Sequence, residues 1–180
     1  MSANEHKIFY STVETVIGPL LLAATDKGLC WLNFGSDSSN LMQLTSWAKK
    51  MMGSVELVES ADKLEEAKRQ LTEYFVGERR EFTLELDLYG TDFQKRVWSL
   101  LREIPYGEVR SYKEIAFGTG SPKAVRAVGG ANHNNPISII VPCHRVIGAC
   151  GTLVGYGGGL DIKKFLLQLE GYLPREEQLS

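Results

Sequence analysis

The chain reads as an α+β protein in two parts. An antiparallel sheet with helices occupies residues 1–88, and a mostly helical part with a helix-turn-helix occupies residues 89–180. Three observations lead there. Early segments rich in Val, Ile, Leu and Thr are separated by turn signals. Later, two capping boxes open runs with apolar residues at helical spacing. Finally, the apolar run Ile137-Ser138-Ile139-Ile140-Val141 ends in Pro142-Cys143-His144-Arg145-Val146, which sets a thiol beside an imidazole.

In chain order, residues 7–13 and 19–25 read as strands about the turn Ile17-Gly18-Pro19, and Asp26-Lys27-Gly28 leads into a third strand over 29–34. Short connections make this an antiparallel meander. Leu41, Leu44, Ala48 and Met51 predict a helix over 41–52, and Leu64, Ala67, Leu71 and Phe75 a second over 62–75. Phe82, Leu84, Leu86 and Leu88 alternate, which predicts a strand over 81–88. Tyr89-Gly90 marks the change of organisation. Thr91-Asp92-Phe93-Gln94 is a capping box for a helix that turns Phe93, Val97, Leu100 and Leu101 inward and ends at Ile104-Pro105-Tyr106-Gly107. Ser111-Tyr112-Lys113-Glu114 is a second box, opening a short helix through Ala116. After Gly118-Thr119-Gly120, Ser121 reads as the cap and Pro122 as the first residue of a third helix. Two short helices about a Gly-containing turn form a helix-turn-helix candidate. Residues 132–136 are a polar bend leading to a strand over 137–141, which Pro142 stops. Asp161 caps a last helix over 162–170, ended by Gly171.

Composition narrows the function classes. At 180 residues, 43% hydrophobic and 23% charged, the chain has the make-up of an ordinary globular protein with one good core or two small ones. No stretch has the apolar length to span a bilayer, and residues 1–7 lack the apolar run of a signal peptide. Cys30, Cys143 and Cys150 are too few and odd in number for a disulfide framework, so a reducing, cytoplasmic setting is expected. They combine with His6, His133 and His144 in no zinc-ligand spacing, and no metal is expected. The net charge of −2 hides an asymmetry. Residues 1–88 hold 9 basic and 14 acidic side chains, a balance of −5, and residues 89–180 hold 11 and 8, a balance of +3. A basic half is compatible with a polyanion bound through one face.

The chemistry concentrates late in the chain. A thiol is a good nucleophile only as thiolate, and an adjacent imidazole is a common way to make one. The competing reading is a buried structural Cys followed by an incidental His. Lys123-Ala124-Val125-Arg126-Ala127-Val128-Gly129-Gly130-Ala131 is mostly small, with Lys123 and Arg126 on one face. Such a helix lets its backbone approach something closely, either a neighbouring element or a partner. Asn135 can fix the bend before Pro136 through local hydrogen bonds. Glu170, at the C-terminal end of the last helix, is electrostatically misplaced there, and is either exposed and unpaired or the partner of His144. The glycines at 155 and 157–159 make a mobile or closely approached wall beside the thiol. They do not form a phosphate loop, which needs a terminal Lys-Ser/Thr. Cys30 reads as core, and Cys150 as incidental on a turn.

Taken together, Pro105-Tyr106-Gly107, Ser111-Tyr112, Arg126-Ala127-Val128-Gly129, Asn135-Pro136, Pro142-Cys143-His144-Arg145-Val146, Gly155-Tyr156 and Leu169-Glu170-Gly171 resemble the O6-alkylguanine-DNA alkyltransferases. These are also called methylated-DNA–protein-cysteine methyltransferases. The match runs over residues 91–171, and the first half is similar only in its pattern of strands and helices. The resemblance implies a ribonuclease H-like roll in the first part and a winged-helix-like domain carrying the active-site cysteine in the second. It makes Cys143 the alkyl acceptor, His144 the imidazole that takes its proton through a water, and Glu170 the carboxylate that polarises the imidazole. Asn135 becomes the hinge that braces the helix-turn-helix against the active-site loop. Tyr112 becomes the group that contacts the target base, helps its rotation and protonates the departing guanine. Arg126 becomes the finger that fills the stack where the base left. Ser111, Lys123, Ala127, Gly129 and Gly130 are the DNA-facing residues, and Val146, Tyr156, Gly157 and Gly158 the walls of the base pocket. The implied partner is double-stranded DNA containing O6-alkylguanine, docked through the minor groove, with no cofactor, no membrane and no obligate protein partner. The implied protein is a cytoplasmic monomer that repairs one lesion per molecule.

Other readings lose ground on particular residues. Alkyltransferase-like proteins, which bind damaged DNA without repairing it, carry Trp where this chain has Cys143. A helix-turn-helix regulator has no need of Cys143, His144 and Glu170 together. A papain-like peptidase places its His far from its Cys, and a thiol-redox enzyme shows Cys-x-x-Cys. Some family members carry a zinc in the first part, for which Cys30 and His6 are too few. Others add a cysteine-rich damage-sensing domain, which the length and cysteine count leave out.

Overall fold

The computed structural model describes residues 5–175, so residues 1–4 of the stretch 1–7, read as lacking the apolar run of a signal peptide, lie outside the described residues. The chain divides into two compact units, the first running to Gly90 and the second beginning at Thr91.

In the first unit, β1 (His6–Thr15), β2 (Gly18–Thr25) and β3 (Gly28–Phe34) form the expected antiparallel meander. A fourth strand that the sequence reading lacked, β4 (Val55–Glu59), pairs parallel to β1 and completes the order β3-β2-β1-β4. Its five residues are too few to show periodicity. The parallel pairing requires a crossover, and α1 (Ser38–Met52) supplies it. The α1 helix starts three residues before the expected position because Asp37 and Asn40 form a reciprocal capping box. Ile8, Leu21, Ala23, Cys30, Trp31, Leu44 and Ala48 form a buried cluster, with Trp47 stacked at a tilt on Trp31, 4.9 Å between ring centres. A short 3-10 turn over Asp62–Leu64 precedes α2 (Glu65–Phe75).

The strand expected over 81–88 is not one. Phe82, Leu84 and Leu86 are half-buried while Glu81, Thr83 and Glu85 are exposed, so the alternation is real. Pairing is confined to one bridge between Leu29 and Leu86, where Leu29 N–H donates to Glu85 O at 2.9 Å and Asp87 N–H to Leu29 O at 2.8 Å. Alternation reports one-sided burial, whereas a strand also needs a partner edge along its length. A Cβ on Gly28 would lie 2.6 Å from Glu85 O, so the glycine permits this close crossing.

In the second unit, α3 (Asp92–Arg102) starts at the expected Thr91–Gln94 box and buries Val97, Trp98 and Leu101. Next come β5 (Arg110–Ser111) and α4 (Tyr112–Gly118), the latter capped by Ser111 and Glu114 as expected. The second helix of the helix-turn-helix, α5 (Val125–His133), begins later than expected. Ser121 and Pro122 do not cap it. They form a turn closed by Ala124 N–H donating to Ser121 O at 2.9 Å.

The strand expected over 137–141 is also absent. The segment coils into tight turns, with Ile140 N–H donating to Ser138 O at 2.8 Å, Val141 N–H to Ile137 O at 3.0 Å, and Ile139 at φ 72°. Every residue from Ile137 to Val141 is buried. A short buried apolar run looks the same in sequence whether extended or coiled, and here prolines at 136 and 142 bound it. A 3-10 turn, Cys143–Arg145, follows, and then β6 (Val146–Ile147) pairs parallel with β5. A short turn over Ala149–Gly151 precedes α6 (Leu160–Leu169), which starts after Gly159 at φ 96°. Asp161 lies inside its first turn and is not its cap, and Glu170 is its last, flanking residue.

Candidate active site

The two-residue strands β5 and β6 bring the chemistry together. Arg110 pairs with Val146 and Ser111 with Ile147, so Tyr112 is delivered beside the segment that carries Cys143. The Tyr112 hydroxyl donates to Val154 O at 3.4 Å. Its phenol is pushed up, by burial and then by the charge of Cys143, with Asn132 working the other way. Trp98 Nε1 donates to Ala131 O at 2.8 Å and ties α3 to α5.

Asn135 closes the coiled segment before the thiol. Its Nδ2 donates to Val141 O at 2.8 Å and its Oδ1 accepts from Ile137 N–H at 3.0 Å, so one carboxamide spans both ends of the turn. Cys143 is 5% exposed. Burial pushes its thiol up, opposed by a hydrogen bond from the Asn135 side chain, the charge of Lys163 and the backbone amides of Cys143 and His144.

His144 is fully buried, and its Nε2 lies 2.8 Å from Glu170 Oε2. Burial is the largest influence on the ring and pushes it down, towards the neutral form, against the pull of Glu170. Burial opposes ionisation of Glu170 as well, but His144 and Arg145 overcome it and hold the carboxyl well below the usual range. The consistent state is a carboxylate accepting from Nε2–H of a neutral imidazole. That leaves Nδ1 as the basic lone pair, and it has no hydrogen-bond partner among the described residues.

Arg145, which the sequence reading placed only as a motif letter, is the other half of this arrangement. Its Nε and Nη2 donate to Glu170 Oε1 and Oε2 at 2.8 and 2.9 Å, and Nη1 donates to Ile104 O at 2.7 Å. A planar fork matches a carboxylate in this way. The guanidinium lies over Tyr106, 5.8 Å from the ring centre, and the Tyr106 hydroxyl donates to Leu169 O at 3.1 Å. Gly107 sits at φ 82°, and a Cβ there would be 3.1 Å from Glu170 O. Pro105-Tyr106-Gly107 therefore braces the end of α6 and the acid on it.

Lys163 was also missed. It is fully buried, and its Nζ donates to Val146 O at 2.6 Å and Val154 O at 2.9 Å. Helical spacing carried the signal: Lys163 lies three and four residues before the buried Leu166 and Leu167 and seven before Glu170, on the apolar stripe.

The expected pocket residues are placed as follows. Val146 is buried, Tyr156 and Gly158 are half-buried, and Gly157 is exposed. The Tyr156 ring meets His144 edge-on at 6.5 Å. Burial first, then Cys143 and Glu170, push its phenol well up, so it is neutral. The expected DNA-facing residues Arg126, Ala127 and Gly130 are exposed on α5, and Gly129 is half-buried. Lys123 is exposed on the turn before the helix, and Ser111 is half-buried at the cap of α4. A Cβ added at Gly129 or Gly130 would meet nothing within 4 Å. Ala127, Gly129 and Gly130 thus lie on an open face, whereas Ala131 of the same helix is buried.

Comparison with known proteins agrees over both units. The family model for the 6-O-methylguanine DNA methyltransferase ribonuclease-like domain matches residues 8–88, and that for the DNA binding domain matches residues 92–172. A methylated-DNA–protein-cysteine methyltransferase of Methanosarcina acetivorans is 52% identical over 164 residues, covering 91% of this chain and 99% of its own. Another from Mycolicibacterium paratuberculosis is 51% identical over 163 residues, covering 91% and 92%. A crystal structure of Mycobacterium tuberculosis OGT in complex with DNA aligns with a TM-score of 0.77 at 48% identity, covering 91% of this chain and 92% of that one. The class is that of DNA-binding methyltransferases with a mixed α+β first unit and a helix-turn-helix second unit. The chain belongs to the 6-O-methylguanine DNA methyltransferase family. Its activity is transfer of an alkyl group from methylated DNA to a protein cysteine, its role is DNA repair, and DNA is its partner. Among the described residues no helix is long and apolar enough to cross a membrane.

Proposed function

We propose that Cys143 is the acceptor, that the substrate is O6-alkylguanine extruded from the duplex, and that each molecule reacts once. The observation that carries this reading is the chain from Glu170 Oε2 to His144 Nε2 at 2.8 Å, with Nδ1 of this histidine, the residue directly after Cys143, left without a hydrogen-bond partner among the described residues. The free Nδ1 takes the Cys143 proton through a water, and Glu170 stabilises the imidazolium that results. An alkyl group on guanine O6 lies inside the base stack, so the base must leave it, at a cost of a few kcal/mol that is smaller for a damaged pair. Arg126, exposed on α5, is suited to fill the gap as the small face of Ala127, Gly129 and Gly130 approaches the minor groove. Val146, Tyr156, Gly157 and Gly158 then wall the base, and Asn135 keeps the coiled segment before Cys143 in register.

In the pocket the thiolate sulfur attacks the alkyl carbon in line. The carbon–oxygen bond breaks, its electron pair stays on guanine, and Tyr112 gives the departing base a proton. The product is a thioether, which water does not cleave, so no second turnover follows. Domain limits of 1–88 and 89–180 fit this division between a structural and a reacting half. Non-catalytic binding of damaged DNA is disfavoured by the thiol at position 143.

The test is a duplex with labelled O6-methylguanine. After digestion the label is expected on the Cys143 peptide, at no more than one methyl per molecule. Label elsewhere, or further turnovers, overturns the reading. Arg126→Ala is expected to slow repair in duplex DNA while sparing reaction with free O6-benzylguanine. Equal slowing of both removes the wedge role. Duplex binding is expected to weaken as salt rises, through release of condensed counterions.

A further inference from the structure

Lys163 is a fully buried lysine held by two backbone carbonyls, Val146 O at 2.6 Å and Val154 O at 2.9 Å, and among the described residues by no carboxylate. Neutral carbonyls accept two of its three protons but leave its charge uncompensated, and an isolated buried charge is costly. The other charged groups around it cannot compensate. Glu170 is taken up by Arg145 on both oxygens and by His144. His144 is neutral at rest and a cation once it takes the thiol proton, never an anion, and the phenols of Tyr112 and Tyr156 are both pushed up and carry no charge. With Arg145 cancelled against Glu170, Cys143 is the remaining ionisable group of this cluster.

We propose that Lys163 is the counter-ion of the Cys143 thiolate, a positioning residue that makes the sulfur anionic while tying β6 to the glycine-rich wall. This rests on Cys143 being the acceptor. Each charge favours the other: burial pushes the Lys163 ammonium down to about 8, against an upward pull from Cys143, while Lys163 opposes the upward push on the thiol. The two groups therefore titrate as a pair. The strut reaches Tyr112 too, because Val154 O accepts from both Lys163 Nζ and the Tyr112 hydroxyl. Alkylation turns the sulfur into a neutral thioether, and the ammonium that clasps the two walls loses its counter-charge at that moment.

The experiment reads the thiolate without using guanine. The pH dependence of thiolate ultraviolet absorbance and of Cys143 carbamidomethylation by iodoacetamide is measured in the whole chain and in Lys163→Gln and Lys163→Arg, with circular dichroism as the control for folding. An opposite charge at short range moves a pKa by about 1–3 units, so Lys163→Gln is expected to shift the ascending limb upward by about one unit or more. At neutral pH that is roughly a tenfold loss of reactivity, recovered in alkaline solution. Lys163→Arg is expected to keep the limb in place. A uniform loss at all pH values with an unmoved limb makes Lys163 a structural brace only and overturns the proposal.

A second measurement needs no substitution at Lys163. Side-chain NMR of the lysine in free and S-benzylated protein is expected to show its titration midpoint falling on benzylation, and an unchanged midpoint overturns the pairing. Failure of the acceptor reading looks different. In that case the methyl from labelled DNA is absent from Cys143, whatever the thiolate titration shows.

Discussion

The molecule holds two buried cysteines, one in each unit, and their surroundings set them apart. Cys30 lies in the apolar cluster of the first unit among Ile8, Leu21, Leu44 and Ala48, and its Sγ–H donates to Ala23 O at 3.5 Å. Burial, reinforced by Asp87, pushes it up to about 12. Cys143 is just as enclosed and is pushed up for the same first reason, but an amide, an ammonium and backbone N–H groups oppose the push. Burial by itself silences a thiol. A buried thiol becomes a nucleophile only where fixed polar groups replace the water it has lost. Cys150 completes the contrast, exposed on a turn at φ 59°.

The sharpest way to break this comparison is to exchange the outcomes of two matched substitutions. Cys143→Ala is expected to abolish methyl transfer in the labelled-duplex assay while duplex binding persists. Cys30→Ala is expected to leave transfer intact and to cost about 1 kcal/mol in urea unfolding, as for loss of one buried heavy atom. Transfer surviving the first substitution, or lost with the second in a folded protein, removes the distinction.

Glu170→Gln is next in size. It leaves Arg145 buried without its anion, and unpairing a buried ion pair costs about 3–5 kcal/mol at neutral pH. Glu170 and His144 also set the acid limb of stability. Both are held below their ordinary values of 4.5 and 6.5, so the unfolded chain binds more protons. Stability is therefore expected to decline as pH falls below about 6.5 and further below about 4.5. Denaturant melts across that range check it, and Glu170→Gln is expected to lack the lower step.

Smaller effects sharpen the picture of what positions the thiol. Asn135→Ala removes both hydrogen bonds that close the 135–141 turn, at about 1–3 kcal/mol, and transfer is expected to slow with it. Gly107→Ala forces a side chain to φ 82° against Glu170 O, at about 1–2 kcal/mol in thermal unfolding, with Cys30 unaffected in its reactivity.

Local rules were legible where they are written in adjacent residues. The capping boxes at Thr91 and Ser111, the three-stranded meander and the helix-turn-helix were all readable from spacing and turn chemistry. The strands expected over 81–88 and 137–141 were misread for a shared reason. Apolar patterning reports which side chains are buried, and the backbone path depends on partners far away in the chain. The late start of α5 has a different source, because Ser-Pro serves a turn as well as it serves a helix cap.

Sequence alone was enough to show that a thiol and an imidazole adjoin, that a carboxylate ends the last helix, and that a helix of mostly small residues carries an arginine. Covalent order and helical period are enough for those. The folded chain was needed to show that Arg145 clasps Glu170 from 25 residues away, that Tyr106 and Gly107 brace the end of the helix that carries this acid, and that Lys163 is drawn in with no carboxylate partner among the described residues. Those are statements about charge and hydrogen bonding in a dry interior. They exist only once folding has removed water and brought distant groups within three ångströms of each other.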